Sequence, residues 1–397
     1  MQASETGPSK PRVYLDWNAT APMRSAASAA MVAALDVTGN PSSIHAEGRV
    51  ARRLVEEARE HVASLVGADP ANVVFTSGGT EANGLGLNSC LSAGGDRDKL
   101  LVSAIEHPSV KAGGRFAPHQ VVEIAVDGYG VLDLAALAGA LATLADEGID
   151  RPLVSIMLAN NETGVIQPIA AVADMVHAAG GILHVDAVQA VGKVACDLKA
   201  LDADLMTVSA HKFGGPKGIG ALILRHGDIR VAPLLTGGGQ ERGKRAGTEN
   251  VAAIAGFGAA AKAAQDALPA ETSRAATLRA RLEQGLKEIS PNAVIFGGEA
   301  ERLPNTTLFA VPRVKAEIAL MALDLEGFAV SSGSACSSGK VAPSHVLAAM
   351  GVSPDLAAGA IRVSLGFSSA ESDVNRFLNA WNKLLQPLSK GSYGIAA

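Results

Sequence analysis

The stretch 204–220, DLMTVSAHKFGGPKGIG, decides the fold. It opens with an apolar, β-branched run, DLMTVSA (204–210), and breaks at His211, Lys212 and a Gly-Gly-Pro turn. A second apolar run, IGALILR (219–225), follows. Short runs of this kind, bounded by Gly and Pro, read as buried strands. Upstream, VVFTS (73–77), KLLVSAI (99–105), LVSIMLA (153–159) and GILHVDA (181–187) repeat the pattern. The stretches 46–66, 133–147 and 168–180 carry apolar residues at helical spacing. Strands alternating with helices on this scale predict an α/β fold with a mainly parallel sheet. Residues 250–290 are Ala-rich with no strand signal, and predict long helices leaving that sheet. NTTLFAV (305–311), FAVSSGS (328–334) and IRVSLG (361–366) restart the strand pattern and predict a smaller α+β domain. The expected division is a tail over 1–12, a large domain over 13–262 and a small domain over 263–397. The first residues of the large domain are expected against the small one.

Composition narrows the function. Of the 397 residues 48% are hydrophobic and 18% charged, which describes a folded globular chain. A net charge of -5 argues against a general nucleic-acid binder, which would carry a basic surplus. The three cysteines, Cys90, Cys196 and Cys336, cannot make a disulfide framework and fit no zinc spacing. They imply a reducing compartment and no resident metal. The polar start, MQASETGPSK, has no apolar stretch of a secretory signal, and no apolar run reaches the ~18 residues of a membrane helix. A cytoplasmic protein with neither membrane nor nucleic acid as partner is expected.

In an α/β sheet, ligands bind beyond the carboxyl ends of the strands. After VVFTS comes GGTEANG, where Gly79-Thr80 opens a helix whose N–H groups suit an anion; an ordinary strand-to-helix turn reads the same way. His107 follows the next strand, and Asn160-Asn161 the one after; an amide pair is also a common turn former. Asp186 ends GILHV and Gln189 follows it; a buried carboxylate there needs a partner, unless it caps a helix. Lys212, set directly after an apolar strand, would have its pKa lowered by desolvation and its amine freed for a Schiff base. Taken alone, it reads as a loop lysine paired with an acid. Taken together, Asp186 at one strand end and Ser209-Ala-His211-Lys212 at the next form the arrangement pyridoxal phosphate requires. The lysine binds the cofactor, the acid keeps the pyridine nitrogen protonated, and Gly79, Thr80, Ser209 and His211 face the phosphate. Finally, Cys336 sits in SSGSACSSG (331–339), a run with almost no side-chain surface to bury, which favours turns and mobile loops.

These motifs carry a resemblance. YLDWNATAP (14–22), GNPSSIH (39–45), FTSGGTEANG (75–84), EHPSV (106–110), NNETGVIQP (160–168), HVDAVQ (184–189), SAHKFGGPKGIG (209–220), GGGQERGKRAGTEN (237–250) and SSGSACSSG (331–339) resemble the cysteine desulfurases of the NifS/IscS type. These are class V aminotransferases of pyridoxal-phosphate fold type I. The resemblance spans almost the whole chain and implies a seven-stranded, mainly parallel sheet between helices. It implies that Lys212 carries the cofactor and moves protons, Asp186 pairs with the ring nitrogen, Gln189 bonds the ring hydroxyl, and His107 stacks on the ring as acid or base. Thr248 is expected to reach the phosphate of a partner subunit in a homodimer. Asn161 and Arg362 receive the substrate carboxylate, for which a planar guanidinium is suited. Cys336 is the implied nucleophile, because the thiolate is the reactive form. It takes sulfur from L-cysteine, leaves L-alanine, and hands the persulfide to an acceptor such as an iron–sulfur scaffold protein, where Cys336 could also ligate a cluster in transit. The family serves nitrogen fixation and housekeeping alike.

Two places depart from the family pattern: Asp16-Trp17-Asn18-Ala19-Thr20 where Asp-Tyr-Ser-Ala-Thr is common, and Leu158-Ala159 where His-Val is common. Neither alters a residue with an assigned role. Competing readings are another class V enzyme, such as an aminotransferase or selenocysteine lyase, and a non-enzymatic binding protein on the same fold. Cys336 speaks against a plain aminotransferase. Cys90 and Cys196 read as small buried hydrophobes.

Overall fold

The computed structural model describes residues 12–89, 99–149, 151–227, 229–333 and 343–390, with side chains up to 386. Cys90 and Cys336 lie outside them. A short first strand, β1 (Val13–Tyr14), precedes a seven-stranded sheet made of β2 (Val73–Thr76), β3 (Leu100–Ser103), β4 (Val121–Ile124), β5 (Leu153–Met157), β6 (Ile182–Asp186), β7 (Leu205–Ser209) and β8 (Gly220–Leu224). Their spatial order is β2-β8-β7-β6-β5-β3-β4. Pairs from β7 through β4 are parallel, and β8 is antiparallel to both its neighbours. All residues of β2, β3, β5, β7 and β8 are buried, which is why they read as continuous apolar runs rather than alternating ones. Strand β4 has no counterpart among the expected strands. It lies at the sheet edge, is half-buried, and carries the exposed Glu123, which breaks the apolar signal.

Helices cover the sheet. Helix Ala46–Leu65 buries Ala51, Val55, Ala58 and Val62, a stripe at helical spacing. It packs against Val251–Ile289, where Gly258 lets the two backbones meet. A Cβ on Gly258 would lie 2.4 Å from the Ala58 Cα, so the Ala- and Gly-rich composition serves close helix contact. The expected set of long helices over 250–290 is a single helix of 39 residues with Pro269 inside it. Proline removes one N–H donor and crowds the preceding turn. The helix persists because it is packed on both sides of that point. Phe257 and Ala261 belong to the core of the large sheet, and Leu278, Leu282 and Leu286 to a second core.

That second core is built on β9 (Val294–Ile295), β10 (Thr306–Ala310), β12 (Ser331–Ser332) and β13 (Ile361–Ser364), an antiparallel sheet in the order β12-β13-β10-β9. Phe309, Phe377 and Trp381 fill it, and Val13 and Leu15 join them. Strand β1 pairs in parallel with β11 (Phe328–Ala329), so the first described residues pack with the last third of the chain. Among the described residues no helix is long and apolar enough to cross a membrane.

The outer edge of β2 is closed by a side chain rather than a strand. Glu241 accepts from Phe75 N at 2.9 Å and forms a two-point pair with Arg59 at 2.8 and 3.0 Å, both side chains buried. Arg59 also donates to Val73 O at 2.8 Å. Removing one partner leaves an uncompensated buried charge, a loss of about 3–5 kcal/mol. Glu241→Ala should lower stability by that amount in urea unfolding. The pair Arg59→Met with Glu241→Leu should restore most of it.

Candidate active site

Because β8 is antiparallel to both β2 and β7, the strands β2, β3, β5, β6 and β7 end on one side of the sheet. Their ends open into a cavity of about 340 Å³. Gly79, Thr80, His107, Asn161, Asp186, Gln189, Ser209, His211, Lys212 and Arg362 all line it, so residues that lie far apart in sequence meet in one place. Thr248 does not. It is exposed and lines a neighbouring cleft with Ser77 and Gly218. Cys336 is outside the described residues, but Gly333, three positions before it, lines the cavity.

Asp186 is 5% exposed. Its Oδ1 accepts from Val188 N at 3.0 Å, closing the turn after β6, and its Oδ2 accepts from Asn83 Nδ2 at 2.7 Å. The carboxylate caps no helix; it is oriented into the cavity by a turn and an amide. Lys212 donates to backbone carbonyls, Asn18 O at 2.6 Å and Ala19 O at 3.1 Å, rather than to an acid. Burial pushes its pKa down to about 8, with Arg362 adding to the fall and Asp186 and Asp16 opposing it.

His107 caps a one-turn helix, Pro108–Lys111, with its ring. Its Nδ1 accepts from Ser109 N at 3.2 Å and lies 2.7 Å from Ser109 Oγ, which takes a bond from Asn83 Nδ2. With Nδ1 accepting, the ring proton sits on Nε2. Burial lowers the pKa of this imidazole, and Asp186 opposes the shift. Burial also lowers that of His211, to about 4, helped by Lys212 and Lys217. Of the amide pair, Asn160 is the turn former: its Oδ1 accepts from Glu162 N and Thr163 N at 2.9 and 3.0 Å. Asn161 faces the cavity instead, while its carbonyl accepts from Arg362 Nη1 at 2.9 Å. Arg362 also pairs with Asp16 at 2.7 Å, and its Nε is buried without a partner.

The helix Gly79–Leu87 begins after Gly78, which has no side chain to cap the first turn, so its leading N–H groups are left for an anion. A Cβ on Gly79 would sit 3.0 Å from Val188 Cγ2 and 3.3 Å from Ser209 Cβ, so glycine keeps this helix end tight against Ser209.

Sequence reasoning assigned no role to Asn18, Asn83, Glu106 or Lys193. Asn18 and Ala159, both at departures from the family pattern, line the cavity. Asn83 is buried inside the helix that follows the Gly79 turn; an amide on the core face of a helix was the available signal. Glu106 is fully buried, accepts from Ser103 Oγ at 2.6 Å and Met157 N at 2.7 Å, and ties the ends of β3 and β5; burial pushes its pKa up to about 8. Among the described residues no cluster of His, Cys, Asp or Glu could hold a metal ion.

Residues 13–377 match the family described as Aminotransferase class-V, and the chain belongs to that family. Within it, the chain is 43% identical over 383 residues to a cysteine desulfurase of Cereibacter sphaeroides, covering 95% of this chain and 96% of that protein. A cysteine desulfurase IscS of Dictyoglomus turgidum is 40% identical over 384 residues, covering 96% of each. An X-ray structure of a NifS-like protein from Rickettsia africae ESF-5 superposes with a TM-score of 0.85 at 35% identity, covering 94% of this chain and 99% of that one.

The environment of Lys212 can be tested directly. Its trapping by pyridoxal and borohydride should accelerate as pH rises through about 8, where the amine becomes neutral, and level off above it. A midpoint near the 10.5 of an ordinary lysine would contradict a desolvated site.

Proposed function

We infer that this protein is a pyridoxal-phosphate-dependent cysteine desulfurase, taking sulfur from L-cysteine to leave L-alanine and a persulfide on Cys336. The observation that carries the reading is the single cavity holding Lys212, Asp186 and Arg362, with Gly333 at the start of the Cys336 segment.

The residues fit the cofactor. Lys212, Lys193 and Arg362 crowd one another electrostatically, with Asp186 and Asp16 as the counter-charges, so an anionic cofactor and an anionic substrate are both favoured. The uncapped helix end at Gly79, with Thr80, Ser209 and His211, would hold the cofactor phosphate. Asp186 would accept from the ring nitrogen, and Gln189 would donate to the ring hydroxyl. Lys212 would hold the cofactor's aldehyde through its amine, which burial brings toward the neutral form at a lower pH than an ordinary lysine. When bound, pyridoxal phosphate supplies an electron sink for charge developing at the substrate Cα.

The rest is done by the chain itself. Arg362 and Asn161 bind the substrate carboxylate, which gives the buried Arg362 Nε a partner. Lys212 removes and returns protons at Cα. His107, with its ring proton on Nε2, is placed to act as the acid where the reaction takes up a proton. The thiolate of Cys336 attacks the substrate sulfur: the Cβ–S bond breaks with its electron pair staying on the carbon side, the S–S bond of the persulfide forms, and Cβ takes up a proton to become the methyl of L-alanine. An acceptor thiol, such as that of an iron–sulfur scaffold, then removes the outer sulfur.

The assembly we infer is a homodimer in which Thr248 reaches the neighbouring subunit's phosphate; its exposure and its place outside the cavity support this. The cysteine usage supports a cytoplasmic location, and Cys196 is a free, buried thiol.

Cys336→Ala should keep the visible absorbance of bound cofactor and lose sulfide and alanine production from L-cysteine. Lys212→Ala should lose both. Sulfide release retained in Cys336→Ala would reject Cys336 as the nucleophile.

A further inference from the structure

Lys193 stands two turns of chain beyond Asp186 and is assigned nothing by the reaction. Its Nζ donates to Gln189 Oε1 at 2.7 Å and to Asn18 Oδ1 at 2.9 Å. Gln189 in turn donates through Nε2 to Asn18 O at 3.0 Å. An amide can be placed either way round, and its neighbours decide which. Here both neighbours agree. The reversed amide would set the Gln189 oxygen against the Asn18 carbonyl and its NH₂ against the lysine donors. With the carbonyl held by Lys193 and one N–H held by Asn18, the second N–H is left for the cavity that Gln189 lines.

The same lysine keys Asn18. The Asn18 Oδ1 takes Lys193 and Asn305 Nδ2, so its own Nδ2 turns to Thr306 Oγ1 at 2.9 Å and Asn161 O at 3.3 Å. Burial and the nearby Lys212 and Arg362 hold the Lys193 pKa well below the ordinary value.

We propose that Lys193 is a positioning residue: it fixes the Gln189 amide so that an N–H donor, not a carbonyl, is presented to the ring hydroxyl of the cofactor. A phenolic oxygen that shares its proton or loses it needs a donor, and a carbonyl in that place would repel it. The inference rests on the cofactor reading above and adds the residue that sets the polarity of one of its contacts.

The test is a cycle on holoenzyme: native protein, Lys193→Met, Gln189→Ala and the double variant. Two quantities are read, the pyridoxal phosphate dissociation constant by dialysis and the position of the visible absorbance maximum. Lys193→Met should weaken cofactor binding by about tenfold, the scale of one hydrogen bond, and move the band. In the Gln189→Ala background the same change should alter binding by less than about twofold and leave the band where it is. Lys193→Arg, which retains a donor, should restore the native band. An unmoved band in Lys193→Met overturns the inference, as does an equal shift with and without Gln189.

Gln189→Glu keeps an acceptor for Lys193 and removes the N–H, so it gives an answer even if Lys193→Met does not fold. It should bind cofactor as weakly as Gln189→Ala, and native-like binding would overturn the proposal. A native protein with no visible band on adding pyridoxal phosphate overturns the cofactor reading and this inference with it. A native band untouched by these substitutions overturns this inference alone.

Discussion

The backbone carbonyl of Asn18 is the point on which the site depends. It accepts from Lys212 at 2.6 Å and from Gln189 at 3.0 Å, the two side chains that flank the turns after β7 and β6. The Asn18 side chain reaches Thr306 and Asn305 at the start of β10, and its N–H donates to Ser364 Oγ at the end of β13. One residue therefore stitches the large sheet to the small one. It can do so because β1 and Leu15 are packed into the second core, and the chain then crosses to the cavity through Asp16, whose carboxylate pairs with Arg362. Pull this segment away and Lys212, Gln189 and Arg362 lose a partner together.

The electrostatics follow from that crossing. Three basic side chains are brought close to one another where water is scarce, and two carboxylates offset them. Such an arrangement is unfavourable for the empty fold and favourable once anions enter, a familiar trade between stability and function. It also explains why the amine of Lys212 is reactive near neutral pH: its cation is disfavoured by burial and by Arg362, and Asp186 and Asp16 restore only part. The raised pKa of Glu106 has the same origin. A fully buried carboxyl beside Asp186 is easier to keep protonated, and it is then a structural tie between β3 and β5.

Much of this was legible in the chain, for identifiable reasons. Strands buried on both faces are mainly apolar, so β2, β3, β5, β6, β7 and β8 stand out; β4, half-buried at an edge, does not. Polar residues just past a buried strand are conspicuous, so Asp186, Ser209 and Lys212 could be picked out as a set. Asn18 and Lys193 could not. They are 175 positions apart, and each alone is an ordinary polar residue in a turn. Asn83 and Glu106 were hidden in another way, because nothing in a single sequence says that a polar residue on an apolar helix or after a strand has found a buried partner.

By itself, then, the sequence determined the α/β class, the strand ends from which chemistry would be drawn, and the lysine and acid that a pyridine cofactor would require. Those are local properties: hydrophobic periodicity, turn residues, and the position of a charge relative to an apolar run. Only the tertiary structure decided which residues share the cavity, that Asn18 and Asn83 are among them, and which way the Gln189 amide faces. The reason is physical. A pKa, a hydrogen-bond direction and the burial of a charge are set by neighbours in space, and here those neighbours come from the segment just after β1, from the turns after β6 and β7, and from the far sheet of β10 and β13.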